Sequence, residues 1–227
     1  MSTAALWLVC GSAFPETIGF SSSEGFTSGK ANNQNGLLAQ AGITIEAEGA
    51  GLARIPGIGF QRLLMYSNQP EVDTANLKPG EKILFIAFGV TVERPADNIP
   101  TLAFGLTDTL DLGKANVKLG GQIYMNSAGD LLLDESRYER DDPIDTGVDI
   151  GQAFDLRVEI IKNENGTFDA ISSVGSVVKQ TDFGVTLDSS PALVLQGLGA
   201  GQKSPGSITV DMVSIGEPPV VEPPEPE

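Results

Sequence analysis

Short segments with the residue pattern of β-strands, separated by turns, occupy most of this chain. In the segment 43–48 apolar and polar residues alternate, which places Ile43, Ile45 and Ala47 on one face of a strand and the polar residues on the other. No window longer than about ten residues keeps the period of an amphipathic helix. The chain is therefore restricted to an all-β fold built from half-buried strands.

Nine further segments carry the strand signal. They are 60–66, 83–92, 101–106, 115–125, 131–133, 154–162, 167–174, 192–198 and 207–215. Asn165-Gly166 lies between two of these segments. Because Asn-Gly favours the positive φ angles of a type I′ turn, a β-hairpin with that turn is predicted at 163–166.

The length of 227 residues fits one sandwich domain. Strand count and turn spacing indicate two packed sheets, and we assign residues 1–216 to this domain. Residues 217–227 consist of proline, glutamate and valine, which favours polyproline geometry without a core. They are predicted to form an extended Pro-rich C-terminal tail.

The N-terminal apolar run 4–10 is predicted to form a buried first strand, with a degenerate export signal as the alternative. Secretory signals carry Lys or Arg before the apolar stretch, whereas the first basic residue here is Lys30. No clear signal peptide is therefore predicted. The run is too short to span a bilayer, so insertion into a membrane is not expected. Cys10, the only cysteine, forms no internal disulfide and is predicted to be buried.

The charge balance limits the classes of molecule that the chain can bind. Thirty acidic residues stand against 14 basic ones, a formal net charge of −16. Such a chain is repelled by phosphate backbones and anionic lipid head groups, so nucleic acid is not expected as a partner. Neutral glycans, divalent cations and basic protein faces fit this charge better.

Two stretches carry a family resemblance. Ile18-Gly19-Phe20 precedes 24–37, EGFTSGKANNQNGL, which is similar to the pattern E-G-[FY]-x-x-G-x-x-x-x-Q-x-G-W with Leu37 in place of tryptophan. The closing segment 206–215, GSITVDMVSI, is similar to a last strand that returns to pair near the first. Both resemble the laminin G-like and concanavalin A-like lectin and glucanase superfamily. The resemblance implies an antiparallel two-sheet jelly-roll sandwich, and a fold more than an activity.

The residues argue against catalysis. The sequence has no histidine, which excludes Ser-His-Asp and Cys-His machinery and, with one cysteine, zinc sites. Glucanases of the resembled fold place three acids on one strand face as Glu-x-Asp-x-x-Glu. Glu46 and Glu48 share a face, but position 51 is glycine. We predict no enzymatic activity, with glycoside hydrolysis as a remote alternative.

A cluster of aspartates is the candidate metal site. Its members are Asp141, Asp142, Asp145 and Asp149. Calcium takes several carboxylate and carbonyl oxygens from an adaptable loop, so this segment is a candidate calcium site, with a solvated acidic loop as the alternative. Asp108 with Asp111 is a weaker second candidate.

Aromatic residues suggest where a glycan could bind. Tyr124 and Tyr138 precede the aspartate cluster in sequence and are candidate glycan contacts near the acidic loop. Packing within a strand explains Tyr124 equally well.

Taken with the acidic composition, these features predict a non-enzymatic structural or attachment protein with a lectin-like fold. It is expected to belong to a larger assembly of protein subunits, as a homo-oligomer, with a virion decoration, fibre or tail component as one instance. A secreted or cell-surface carbohydrate-binding module, calcium-dependent or not, is the alternative.

Overall fold

The computed structural model describes residues 16–56, 59–65, 74–93, 101–126, 128–135, 142–187, 191–199 and 207–216. Within these ranges the chain forms seventeen β-strands and a short 3-10 helix at Ser22–Glu24. The strands are β1 Glu16–Ile18, β2 Gly29–Lys30, β3 Leu38–Ala39, β4 Thr44–Glu46, β5 Leu52–Pro56, β6 Gly59–Met65, β7 Lys82–Val92, β8 Thr101–Thr107, β9 Leu119–Met125, β10 Leu131–Glu135, β11 Ile144–Asp145, β12 Ala153–Lys162, β13 Phe168–Val174, β14 Val177–Val185, β15 Ala192–Gly199, β16 Ser207–Val210 and β17 Met212–Ile215. The predicted all-β fold is confirmed.

The strands form two antiparallel sheets. Sheet A has the order β14-β13-β12-β7-β16-β5-β4-β2, and β17 continues the line of β16 between β7 and β1. Sheet B has the order β11-β10-β9-β8-β15-β6-β3. The predicted two-sheet antiparallel sandwich is confirmed.

The core lies between the sheets and follows from residue alternation. On β12, Leu156, Val158 and Ile160 are fully buried, while the residues between them are partly exposed. Because side chains alternate across a strand, one face of each sheet supplies apolar residues to the core. β7 lies in the middle of sheet A, where it pairs with β12 on one side and with β16 and β17 on the other.

The first and last described strands pair with each other. Glu16 of β1 lies opposite Ile215 of β17, and Ile18 lies opposite Val213. This closure agrees with the resemblance of the closing segment to a strand that returns to the first. The segment 207–215 is not one strand, because Asp211 interrupts it between β16 and β17.

The β12–β13 hairpin is confirmed, but its predicted type I′ turn is wrong. The Gly166 N–H donates to the Asn163 carbonyl at 3.0 Å, and within the loop 163–167 Gly166 alone has a positive φ, 83°. The Asn165 side chain accepts hydrogen bonds from the N–H and hydroxyl of Thr167 at 3.0 and 2.7 Å. These bonds hold Asn165 outside the left-handed region, so the chain forms a three-residue loop that ends in a left-handed glycine.

The predicted first strand 4–10 and the predicted tail 217–227 lie outside the described residues. In the part of the chain that the structure describes, no helix has the length and apolar character needed to cross a membrane.

Candidate binding face on sheet B

A row of four polar residues and one alanine crosses the face of sheet B that points away from the core. Strand register places Asp134 opposite Gln122, and Gln122 opposite Ala103. The row continues from Ala103 to Gln196 and from Gln196 to Arg62. All five residues are buried. We call them the polar row.

A loop covers one half of the polar row. It comprises residues 108–118, between β8 and β9, and we call it the cover loop. The Arg62 guanidinium donates to the Leu112 carbonyl at 2.8 Å and to Asn116 Oδ1 at 2.7 Å. Gln196 Nε2 donates to the same Asn116 oxygen at 3.0 Å, and Gln196 Oε1 accepts from the Val117 N–H at 3.1 Å. These bonds hold the cover loop against β6 and β15.

Apolar contacts also hold the cover loop against the same half of the polar row. Ala115 and Val117 of the cover loop are buried and pack on side chains from sheet B. Their partners are Leu64, Ala103, Ala192 and Val194. Because this cluster is separate from the main core, the cover loop forms a second, smaller core on the outside of sheet B.

The other half of the row surrounds Gln122 on β9. Gln122 is 9% exposed, and its carboxamide has no hydrogen-bond partner among the described residues. Strand alternation puts Gly120 and Tyr124 on the same face, and Gly105 of β8 lies opposite Gly120. The glycines leave the sheet without side chains beside Gln122. We call Gln122, Gly105, Gly120 and Tyr124 the β9 site.

Asp134 is the last residue of the polar row and forms an ion pair within the fold. Its carboxylate is fully buried and lies 3.9 Å from Lys179 Nζ of β14. The same ammonium donates to the Asp142 carbonyl at 3.0 Å. Lys179 thus links the polar row to the segment that contains the predicted calcium ligands.

Comparisons with known proteins identify the fold class. No family model matches the chain, and no curated protein matches it. Among solved structures, the chain is similar to the β-glucanase of Bacillus licheniformis, with 9% identity, TM-score 0.50, and coverage of 91% of this chain and 99% of that one. The chain has a concanavalin A-like jelly-roll fold.

Two further solved structures are similar to it. One is the Lotus tetragonolobus seed lectin, with 11% identity, TM-score 0.47, and coverage of 85% of this chain and 100% of that one. The other is the endo-β-1,4-glucuronan lyase of Trichoderma reesei, with 10% identity, TM-score 0.47, and coverage of 83% of this chain and 93% of that one.

On this jelly roll the predicted calcium ligands lie along an exposed segment. Asp142, Asp145 and Asp149 are all exposed, and Asp141 lies outside the described residues. The Asp145 carboxylate accepts a hydrogen bond from the Gly147 N–H at 2.9 Å. The described residues contain no group of three or more acidic, cysteine or histidine side chains arranged to hold a metal ion. The calcium site stays a prediction.

The weaker acidic candidate lies on the cover loop. Asp108 forms an ion pair with Lys118, and Asp111 lies 3.5 Å from Lys114 Nζ. Asp111 also accepts a hydrogen bond from the Gly113 N–H at 2.9 Å. These carboxylates therefore balance lysines of their own loop.

Of the two predicted glycan contacts, Tyr124 belongs to the β9 site and is 4% exposed. Tyr138 lies outside the described residues. The sequence analysis missed Arg62, Gln122 and Gln196. The signal was present, because each is a long polar residue inside an apolar strand, and a buried polar residue is more informative than a buried apolar one.

A second polar surface is a groove on sheet A. It has a volume of about 470 Å³ and is lined by Ser28, Glu46, Glu48, Gly51 and Asp211, among others. Asp211 thus adds a third carboxylate to the pair of glutamates that the sequence analysis placed on one face. Glu46 is balanced by the Arg54 guanidinium at 2.9 Å.

Asp211 is expected to make stability depend on pH. Its partial burial, and secondarily the Asp155 carboxylate, raise the pKa of Asp211 above its ordinary value. A group whose pKa is raised by folding stabilises the protein fully below its unfolded-state pKa, and this contribution is lost as pH rises through the folded-state pKa. Asp211→Asn should therefore be more stable than the parent at neutral pH, and the difference should vanish in acid. Urea denaturation at both pH values measures it.

The control for this prediction is Asp155→Asn. Asp155 Oδ1 accepts a hydrogen bond from the Gly89 N–H at 3.1 Å, and asparagine retains that oxygen. Removing the Asp155 charge should lower the pKa of Asp211 and shrink the gain from Asp211→Asn. A gain that is the same at every pH would contradict the electrostatic explanation.

Proposed function

We propose that the protein is a non-enzymatic attachment module that binds a neutral carbohydrate at the β9 site. Gln122 carries the proposal. A carboxamide offers two donors and one acceptor, and that of Gln122 forms no hydrogen bond within the described fold. Sugar hydroxyl groups can both donate and accept, so a bound sugar would satisfy this side chain.

The neighbours of Gln122 suit the same ligand. Gly105 and Gly120 place no side chains on the sheet beside Gln122, and Tyr124 supplies an aromatic ring with a hydroxyl at its end. Ligand sites typically combine an apolar lining with a few well-placed polar groups. The net charge of −16 favours neutral sugars over anionic ones.

The non-enzymatic part of the proposal rests on the chemistry of the polar row. Gln122 and Gln196 carry amides, which bind hydroxyl groups but do not transfer protons in general acid–base catalysis. The Asp134 carboxylate is buried and lies 3.9 Å from the Lys179 ammonium, so its negative charge is already balanced within the fold. Glycoside hydrolysis needs one carboxyl group that gives up a proton and another that acts as base or nucleophile.

We extend the proposal to display on a larger assembly, such as a virion or a cell surface. The support is the acidic composition and the sequence of 217–227, which favours an extended spacer. Calcium dependence and homo-oligomerisation stay predictions.

Titration calorimetry against a panel of neutral oligosaccharides tests the binding site. Gln122→Leu should weaken binding at least about tenfold, which corresponds to about 1.4 kcal/mol. Its free energy of unfolding should not fall, because the replaced amide has no hydrogen bond within the described fold. The matched control Gln180→Leu, at an exposed position on β14, should bind like the parent.

Three outcomes would overturn the proposal. The first is a panel without any binder. The second is loss of binding in Glu48→Gln but not in Gln122→Leu, which would place the site in the groove of sheet A. The third is the release of new reducing ends during long incubation, which would show catalysis.

A further inference from the structure

An apolar cavity opens at one end of the sandwich, where β1 and β17 of sheet A meet β6 and β15 of sheet B. Its volume is about 250 Å³. The apolar side chains that line it are Ile18, Phe26, Leu37, Met65, Leu193 and Val213, together with Ile215. Thr17, Glu24 and Asn35 complete the lining. The cavity therefore combines an apolar wall with a few polar atoms.

The first described strand, β1, contributes to the lining of this cavity. β1 begins at Glu16, and its next two residues, Thr17 and Ile18, belong to the lining. The segment 4–10, AALWLVC, is an uninterrupted apolar run and contains Trp7, the only tryptophan of the chain. Between Trp7 and Thr17 an extended chain spans at most roughly 35 Å, which is ample for the segment to fold back.

We propose that the segment 4–10 docks into this cavity, with the Trp7 indole as its anchor. An apolar cavity of about 150 Å³ accommodates benzene, so about 250 Å³ has room for one indole ring system. An aromatic side chain buries about 150–250 Å², more than any other residue of the segment can. The indole N–H, a donor, can bond to one of the polar atoms in the lining.

Three other segments outside the described residues adjoin the cavity in sequence, and their composition fits it poorly. They are 66–73, YSNQPEVD, after Met65, 188–190, DSS, before β15, and 217–227, EPPVVEPPEPE, after β17. Each carries acidic side chains that lose hydration in an apolar cavity. The apolar run 4–10 matches the cavity in composition and is joined to β1 by residues 11–15.

Docking of Trp7 gives the N-terminal segment a structural role in the jelly roll. The indole fills the cavity beside the β1–β17 pair and adds apolar contacts to β1, a strand of three residues that pairs with β17. The segment is then part of the folded domain and not a free extension.

Tryptophan fluorescence of the full chain tests the proposal, because Trp7 is the sole tryptophan. Mass spectrometry first establishes that residues 1–15 are retained. The expected result is an emission maximum shifted to the blue of that in guanidinium chloride, with severalfold weaker quenching by acrylamide. Both should be independent of protein concentration.

Filling the cavity should expel the indole. In Leu193→Phe the larger side chain occupies the space, so the Trp7 emission should shift to the red and quenching should rise severalfold. The matched control is Val178→Phe, at a 52% exposed position on β14, and should leave both unchanged. Circular dichroism of both variants shows that the sheets are folded.

Three results would contradict the docking of Trp7 in this cavity. A Trp7 emission that matches that of the denatured chain would overturn the proposal. So would burial that depends on concentration, which would mean that a second copy supplies or receives the segment. Leu193→Phe with unchanged emission and quenching would place Trp7 outside this cavity. If Leu193→Phe does not fold, Leu37→Phe fills the same cavity from its other wall.

Discussion

Replacing Gly51 by alanine is expected to lower the free energy of unfolding by about 3–5 kcal/mol. Gly51 has a φ of 78°, and a Cβ atom there would lie 2.4 Å from the Gly19 carbonyl oxygen and 2.5 Å from the Ser21 nitrogen. Both are backbone atoms of the segment between β1 and the 3-10 helix, so no side chain can move to relieve the contact. Urea denaturation of the variant and the parent measures the loss.

Gly49 provides a matched control two residues away. Its φ is 67°, similar to that of Gly51, but no atom lies within 4 Å of the position of its Cβ. Gly49→Ala should therefore cost only the left-handed backbone strain, about 1–2 kcal/mol. The difference between the two variants isolates the close approach of the β4–β5 turn to residues 19–21. Equal losses in both would contradict this explanation.

The segment that Gly51 contacts explains why the opening motif was recognisable in the sequence. The Glu24 carboxylate accepts hydrogen bonds from the Gly19 N–H at 2.9 Å and the Ser21 N–H at 3.1 Å. Gly25, with a φ of 86°, ends the 3-10 helix, and Phe26 is buried in the core. Gln34 is bonded to both backbone groups of Thr27. These are short-range requirements on particular residue types, so a sequence pattern captures them.

Local residue patterns also predicted most strands. Where the predicted and observed strands differ, a local feature of the sequence explains the difference. The predicted strand 115–125 begins only at Leu119, because Ala115 and Val117 pack as part of the cover loop. β14 was missed although Gly175-Ser176, a favoured two-residue hairpin turn, precedes it. The type I′ prediction failed because it took account of Asn-Gly but not of the Asn165 side chain.

The sequence alone could not predict which residues form hydrogen bonds with the polar row. Arg62 and Asn116 are 54 residues apart in sequence, and Gln196 and Asn116 are 80 apart. A polar residue in an apolar strand signals that a partner is needed, but its identity depends on strand register across sheet B. Register follows from long-range pairing, which no local pattern encodes.

The largest effect expected at this face is that of Asn116→Ala. Asn116 Oδ1 accepts from Arg62 Nη2 at 2.7 Å and from Gln196 Nε2 at 3.0 Å. Its removal leaves two buried donors without that acceptor, at about 1–3 kcal/mol each, so the free energy of unfolding should fall by about 2–6 kcal/mol. Hydrogen exchange should accelerate in residues 108–118 before the rest of sheet B, because the cover loop loses its polar attachment to β6 and β15.

Asn116→Asp separates the hydrogen bonds from the packing of the side chain. Aspartate retains an oxygen at the position of Oδ1 and adds a negative charge beside the Arg62 guanidinium, so both donors stay satisfied. This variant should keep most of the parent's stability and the slow exchange of the cover loop, while Asn116→Ala should bind a hydrophobic dye as Leu64 and Val194 become exposed. If aspartate and alanine destabilise the protein equally, the shared acceptor is not what closes this face. If only alanine does, the closure of half of the polar row depends on a single carbonyl oxygen that joins the cover loop to two strands.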